Sequence, residues 1–245
     1  DKWGFAAKTM LRLGERMGCM FANEVIVISE VINDLLVRKY GRRDCHLIYN
    51  GVPAPDKVAD TDYLNSLGVE PCKYVFAMGR FVPEKNFHQL IRAFAALKQQ
   101  NYKLVLAGDT DFEDDYSKKL KSLAKENGVI LTGFIKGTKL HELLTHARCF
   151  VLPSSHEGLP IALLEAMSYG NCCLVSDIPE CAEVVEDKAL IFKKSDVEDL
   201  REKLQEACDH PEMVMKMKNQ AADFICEKYN WDEVVRETMK LYTRK

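Results

Sequence analysis

Residues 152–177 read LPSSHEGLPIALLEAMSYGNCCLVSD: the end of an apolar strand, a polar loop, a short apolar helix and a second apolar strand. Pro160 suits the first position of the helix, where its missing N–H removes no hydrogen bond. Gly158 has no side chain, so a ligand could approach the backbone closely there. A strand, a loop and a helix that leads to a second strand are typical of an α/β fold with a parallel sheet.

The same alternation of strand and helix extends over most of the chain. The pattern predicts short apolar strands at 73–78, 102–107, 129–132, 148–152, 172–176 and 189–192. It predicts amphipathic helices between them at 86–99, 114–127, 138–146, 160–169 and 180–186. Buried strands between amphipathic helices indicate a doubly wound, Rossmann-like parallel sheet with helices on both faces.

The two ends of the chain follow a different pattern. Before the regular alternation the sequence predicts an opening helix at 1–21, a strand at 24–29, a helix at 30–41 and a strand at 45–49. The turn signal Asn50-Gly51 and the Pro- and Asp-rich segment after it indicate a domain boundary. From Asp196 on, helix is predicted throughout. We therefore expect three parts, at 1–53, 54–230 and 231–245.

Composition excludes several classes of protein. Hydrophobic residues make up 47% of the 245 residues, which is enough for a sizeable core. The chain has 34 basic and 37 acidic residues and no block of basic residues, and this distribution disfavours nucleic-acid binding. The 9 cysteines form no CxxC pair or zinc-like cluster, and this pattern favours a reducing, cytoplasmic location. No apolar run reaches the roughly 20 residues that a membrane helix needs, and the opening stretch has no signal-peptide pattern.

Ligands of open parallel sheets bind beyond the carboxyl ends of the strands, so the loops that follow the strands are the candidate site. The first loop carries Arg80 directly after its strand and Lys85 just before the next helix. An arginine can bind two oxygens of a diphosphate, and a lysine adds a mobile charge. The alternative is that Arg80 pairs with a structural carboxylate and that Lys85 is solvated.

The fourth loop places Glu157 before the helix that begins near Pro160 and Glu165 one turn deeper. The free N–H groups of this helix end favour an anion. Carboxylates beside a bound anion make sense if they bind hydroxyls, such as those of a sugar and a ribose. The alternative is that both glutamates are surface residues. We interpret His156, in the same loop, as a polar spacer.

Three other features are weaker. Gly133-Phe134-Ile135 after the third strand suits a flat base, and Gly108-Asp109 is more typical of a turn. The acidic run at 111–115 indicates a helix start rather than a metal site. His141 and His146 lie five residues apart on a predicted helix, so they do not share a face as metal ligands would.

With these loops in place, the sequence resembles the retaining glycosyltransferases of family 4, the group 1 glycosyltransferases, which have the GT-B fold of two Rossmann-like domains. The resemblance is carried by NGV at 50–52, GRFVPEKNFHQLIRAF at 79–94, AGD at 107–109, TGFI at 132–135 and the stretch 152–177. Its most specific part is a glutamate followed after seven residues by a second glutamate.

The resemblance implies that the chain binds a nucleoside diphosphate sugar as donor, without metal or cofactor. It implies catalytic roles for Arg80 and Lys85 on the diphosphate and for Glu157 on the sugar hydroxyls, with Glu165 on the ribose. The other donor-binding residues that it implies are Gly79, Phe134, Ile135, Gly158, Leu159, Leu163 and Leu164. The backbone of the last two is expected near the phosphates.

The resemblance also implies that residues 1–53 are the end of an N-terminal acceptor-binding domain and that 231–245 cross back toward it. A glycan or lipid-linked acceptor would bind through that domain, and the full-length protein could associate peripherally with a membrane. This chain alone is then expected to be inactive. The alternatives are a nucleotide-sugar epimerase of the same fold, a noncatalytic nucleotide-sugar-binding domain and a protein-interaction module.

Overall fold

The computed structural model describes residues 4–98 and 101–243 and divides into two units. The larger unit is Val52–Asn230, and the smaller one contains the described residues up to Gly51 together with those from Trp231. Predicted helical residues 1–3, 99 and 244–245 lie outside the described residues. None of the described helices is long and apolar enough to cross a membrane.

The smaller unit begins with two helices and two short strands. Ser29 caps the second helix by accepting a hydrogen bond from the N–H of Ile32, and Gly41 ends it with a positive φ of 69°. The two strands pair in parallel over two residues each, so they are shorter than the sequence predicts. The elements are α1 (Phe5–Phe21), β1 (Ile26–Val27), α2 (Glu30–Tyr40) and β2 (His46–Leu47).

The larger unit is built on a parallel sheet that has six strands in the described part of the chain. All residues of its two central strands are buried, because helices cover both faces. Each predicted strand is confirmed to within one residue at either end. The strands are β3 (Tyr74–Met78), β4 (Lys103–Ala107), β5 (Ile130–Gly133), β6 (Cys149–Leu152), β7 (Cys173–Ser176) and β8 (Leu190–Phe192).

The strand order, β5-β4-β3-β6-β7-β8, defines where a ligand can enter. From β3 the chain builds outward through β4 to β5 and then returns to place β6 on the other side of β3. Because the chain leaves β3 and β6 in opposite directions, their carboxyl ends flank a crevice at the switch point of the sheet. The loops after β3 and β6 are the first and fourth loops of the sequence analysis.

Helices lie between the strands as predicted, with differences at their ends. Pro160 is the N-cap of α7 rather than its first residue. The region after Asp196 is helical as predicted and forms three helices, since Pro211 cannot continue the first and the second ends at Lys228. The helices are α3 (Asp62–Ser66), α4 (Phe87–Ala95), α5 (Asp115–Glu126), α6 (Thr138–His146), α7 (Ile161–Ser168), α8 (Pro179–Val185), α9 (Val197–Asp209), α10 (Pro211–Lys228) and α11 (Trp231–Thr243).

Candidate functional site

The first three loops are joined by backbone hydrogen bonds at the carboxyl edge of the sheet. The N–H of Gly79 donates to the carbonyl of Ala107 at 3.0 Å, and the N–H of Gly108 donates to that of Gly133 at 2.8 Å. At Gly108, where φ is +123°, an added Cβ would lie 2.0 Å from the carbonyl oxygen of Gly79. Only glycine fits this close approach, which fixes the floor of the site.

The first and fourth loops are joined as well. The N–H of Ser155 donates to the carbonyl of Glu84 at 2.8 Å, and the buried Asn86 donates from Nδ2 to the carbonyl of Pro153 at 3.1 Å. Asn86 adopts a left-handed backbone conformation at the end of the short 3₁₀ helix Pro83–Lys85. Sequence reasoning missed Asn86, since an asparagine before a helix is typical of an ordinary N-cap.

An open cleft of about 270 Å³ lies where these loops meet. It brings together five of the predicted site residues from two separate loops and α7: Gly79, Arg80, Phe134, Ile135 and Glu165. Its other lining residues, which the sequence analysis did not assign to a ligand or considered weak, are Met78, Ala107, Gly108, Leu140 and Ala162.

The side chains in the cleft combine charge with apolar surface. Arg80 is exposed, and Phe134 has 63% of its surface exposed, so both can reach a ligand. Glu165 is half-buried on α7, and burial raises the pKa of its carboxyl, an effect that the nearby His141 opposes. A cation, a carboxylate and an apolar ring therefore border one small cleft.

Lys85 and Glu157 do not line this cleft but pair with each other. Lys85 Nζ lies 2.6 Å from Glu157 Oε1, and only 16% and 9% of the two side chains are exposed. The bond joins the first loop to the fourth across 72 residues of sequence. Because an ammonium group has three donors, Lys85 can keep this bond and still donate to a second acceptor.

The N-terminus of α7 offers less free backbone than its sequence suggests. The N–H groups of Leu163 and Leu164 both donate to the carbonyl of Pro160, at 2.9 and 3.1 Å. Within the described residues the N–H of Ala162 has no acceptor, and Ala162 lines the cleft. An anion at this helix end would meet the N–H of Ala162 first. The predicted phosphate contacts of the Leu163 and Leu164 backbone stay predictions.

The other residues of the fourth loop lie around this helix end. Gly158 is exposed, and Leu159 has only 7% of its surface exposed. His156 is 80% exposed at its side chain, with Nδ1 3.3 Å from Glu180 Oε1. These positions are compatible with the predicted backbone roles of Gly158 and Leu159, which remain predictions.

His141 and Asp114 both have structural partners. His141 Nδ1 lies 3.3 Å from Asp56 Oδ2. Asp114, in the acidic run at 111–115, caps α5 by accepting from the N–H of Ser117 at 2.7 Å, which confirms the predicted helix start. Among residues 4–98 and 101–243, no three His, Cys, Asp or Glu side chains form a group that could hold a metal ion.

Two curated relatives are similar to most of this chain. An uncharacterised glycosyltransferase of Methanocaldococcus jannaschii is 28% identical over 186 residues, 74% of this chain and 47% of the relative. An O-antigen chain mannosyltransferase of Salmonella typhimurium is 23% identical over 90% of this chain and 61% of the relative. The chain thus spans about half to three fifths of the length of these two proteins.

The fold and the family agree. The structure superposes on the crystal structure of the Anabaena protein HepE in complex with UDP and glucose, with a TM-score of 0.88 and 21% identity, covering 96% of this chain and 67% of that one. The fold matches the Rossmann-like domains of GT-B glycosyltransferases. The family model described as glycosyl transferases group 1 matches residues 63–241. The chain belongs to the group 1 glycosyltransferases.

Proposed function

We propose that this chain is the donor-binding part of a retaining glycosyltransferase of family 4, which transfers a hexosyl or deoxyhexosyl group from a nucleoside diphosphate sugar to an acceptor hydroxyl. The observation that carries the proposal is the position of the cleft. It lies at the switch point of the sheet, with Arg80 and Glu165 on its walls. The Lys85–Glu157 pair joins the two loops that flank that switch point.

The diphosphate would bind between the first loop and α7. Arg80 is exposed at the cleft and can donate two hydrogen bonds to phosphate oxygens, and Lys85 retains donors beyond its bond to Glu157. The N–H of Ala162 and the positive end of α7 add to this field. As the bond to the sugar breaks, charge develops on the leaving diphosphate, and these fixed groups stabilise it.

The two glutamates bind different parts of the donor. Glu165 lines the cleft and accepts hydrogen bonds from the ribose hydroxyls, with Phe134 and Ile135 against the base. Glu157 lies outside the cleft lining, fixed by Lys85, and accepts from hydroxyls of the transferred sugar. Lys85 thereby stands between the carboxylate that binds the sugar and the diphosphate that departs.

The proposed reaction proceeds with retention and requires no metal or cofactor. Retaining glycosidases use two carboxylates about 5 Å apart, one of them as a covalent nucleophile. Here Glu157 is bound to Lys85 and Glu165 lines the nucleotide cleft, so neither is assigned that role. Arg80, Lys85 and the helix end supply the positive charge on the diphosphate.

The relatives support a proposal for the acceptor and the setting. The mannosyltransferase among them is named for O-antigen chains, and we propose a role in polysaccharide or glycoconjugate synthesis with a glycan or lipid-linked acceptor. We assign residues 1–53 to the acceptor-side domain and 54–230 to donor binding, with 231–245 crossing back. All nine cysteines are free thiols, which supports a cytoplasmic location. We further propose that the longer protein associates peripherally with a membrane through its other domain.

A transfer assay tests this function. The longer protein to which we assign this chain is incubated with UDP-, GDP-, ADP- and dTDP-sugars and an acceptor, with and without a chelator, and the product anomer is assigned by NMR. We expect one donor class to react, with retention, at the same rate in the chelator, and no turnover by the 245-residue chain. Inversion would contradict the mechanism, and a chelator loss reversed by added metal would contradict its metal independence.

A further inference from the structure

A second cavity, of about 560 Å³, lies between α4 and α5. It shares no lining residue with the donor cleft. The cavity falls within the volume range of sites that bind small molecules. It begins at Pro83, in the 3₁₀ helix that ends with Lys85, and runs along the facing sides of the two helices to Glu126.

The floor of this cavity is apolar. Leu120 is almost fully buried, and Leu123, Tyr116 and Pro83 lie beside it. Such a floor has few hydrogen-bond partners for the many hydroxyls of a sugar. An aromatic ring or a short hydrocarbon that binds there would remove apolar surface from water.

Two exposed cations from different helices line the cavity and form its charged rim. Arg92 comes from α4 and Lys119 from α5, and within the described part of the chain neither has an ion-pair partner. The one carboxylate that lines the cavity, Glu126, accepts a hydrogen bond from the hydroxyl of Ser122 at 3.1 Å. The rim therefore carries a net positive charge that is free for an anion.

The half-buried polar pair that lines the cavity, His88 and Tyr116, is uncharged at neutral pH. His88 Nδ1 lies 3.1 Å from the hydroxyl oxygen of Tyr116, and the rings meet edge to face at 5.7 Å. Burial lowers the pKa of His88, and it raises the pKa of Tyr116 to about 12. Among the side chains that line the cavity, charge is thus confined to Arg92, Lys119 and Glu126.

We infer that this cavity binds a phosphate monoester of an apolar alcohol, with its organic part on the leucines and its phosphate between Arg92 and Lys119. A phosphate complements a rim on which two cations outnumber one carboxylate, and the planar guanidinium of Arg92 can bind two phosphate oxygens. The proposed site is separate from the donor cleft.

The probe is 1-naphthyl phosphate, titrated calorimetrically into the protein, with 1-naphthol and inorganic phosphate as its separate halves. We expect naphthyl phosphate to bind at least roughly tenfold more tightly than either half, because only the ester contacts both the apolar floor and the cations of the rim. Arg92→Gln and Lys119→Gln should each weaken it roughly tenfold. Lys118→Gln, a matched change of an exposed lysine of α5 that does not line the cavity, should not.

Two further measurements locate the probe. Ser122→Trp, at an exposed lining position, should abolish its binding by filling the cavity, and the NMR signals of the His88 ring should shift when it binds. Saturating the donor cleft with a nucleoside diphosphate should leave probe binding unchanged. Absence of binding, equal binding by both rim variants and the unchanged protein, or displacement of the probe by the nucleotide would overturn the inference.

Discussion

Replacing Glu165 with glutamine is expected to stabilise the folded protein and to weaken nucleotide binding. The carboxyl is half-buried on α7, and burial raises its pKa above its usual value near 4.5, although His141 lowers it in part. A raised pKa means that the fold disfavours the charged form. Glutamine keeps the shape without the charge, so it removes this cost, but it is a weaker acceptor for ribose hydroxyls.

The sign of the pH dependence follows from the same shift. Between the usual value of 4.5 and the raised pKa, the folded state binds more protons than the unfolded state. The free energy of unfolding should therefore fall as the pH rises through this window. The Glu165→Gln variant should not show this fall, and above the raised pKa it should be more stable than the unchanged protein. For binding, loss of a charged hydrogen bond costs about 1.5–3 kcal/mol, or roughly ten- to hundredfold in Kd.

The assay pairs thermal unfolding from pH 4 to 8 with calorimetric titration of the preferred nucleoside diphosphate and its sugar. Glu165→Gln should weaken both ligands alike. The matched control is Glu157→Gln, which should spare the diphosphate and weaken only the sugar nucleotide. Intact diphosphate binding in Glu165→Gln would contradict the role of Glu165 at the ribose. Equal weakening of the bare diphosphate and the full donor in Glu157→Gln would contradict the role of Glu157 at the sugar.

Three other substitutions test the loops. Gly108→Ala should cost more than about 2 kcal/mol of stability, measured by urea unfolding, because its Cβ meets backbone at 2.0 Å; wild-type stability would contradict the close approach. Arg80→Ala should weaken diphosphate binding by about 1.5–3 kcal/mol in calorimetry. An equal loss in Lys118→Ala would mean that the effect comes from the net charge of the protein and not from a contact of Arg80. Lys85→Met should cost up to about 3 kcal/mol in urea unfolding, largely recovered when Glu157→Gln is added; no recovery would contradict the pairing.

Local signals in the sequence predict most elements of the larger unit. The strands β3 to β8 were predictable because each is a short apolar run between helices whose polar faces are distinct, and Asp114 marks the start of α5. The pairing order was not predictable, since it depends on contacts between distant segments. In the smaller unit, 24–29 has a strand-like composition, but only Ile26–Val27 finds a partner strand.

The candidate site was also predictable only in part. Arg80 and Glu165 were predictable as neighbours, because both follow strands that end at one edge of the sheet. The bond between Lys85 and Glu157 was not, since no local pattern distinguishes a lysine that binds a ligand from one that binds a carboxylate. The cavity between α4 and α5 was also hidden: Arg92 and Lys119 resemble ordinary surface cations until the helices are packed.

We propose that this chain holds a nucleotide by its diphosphate at the switch point of its sheet. The most direct test is calorimetric titration of the folded chain with UDP, GDP, ADP and dTDP. We predict saturable binding of at least one of them, weakened in Arg80→Ala and unchanged in Lys118→Ala. Flat titrations with all four nucleotides on folded protein would contradict nucleotide binding at this site.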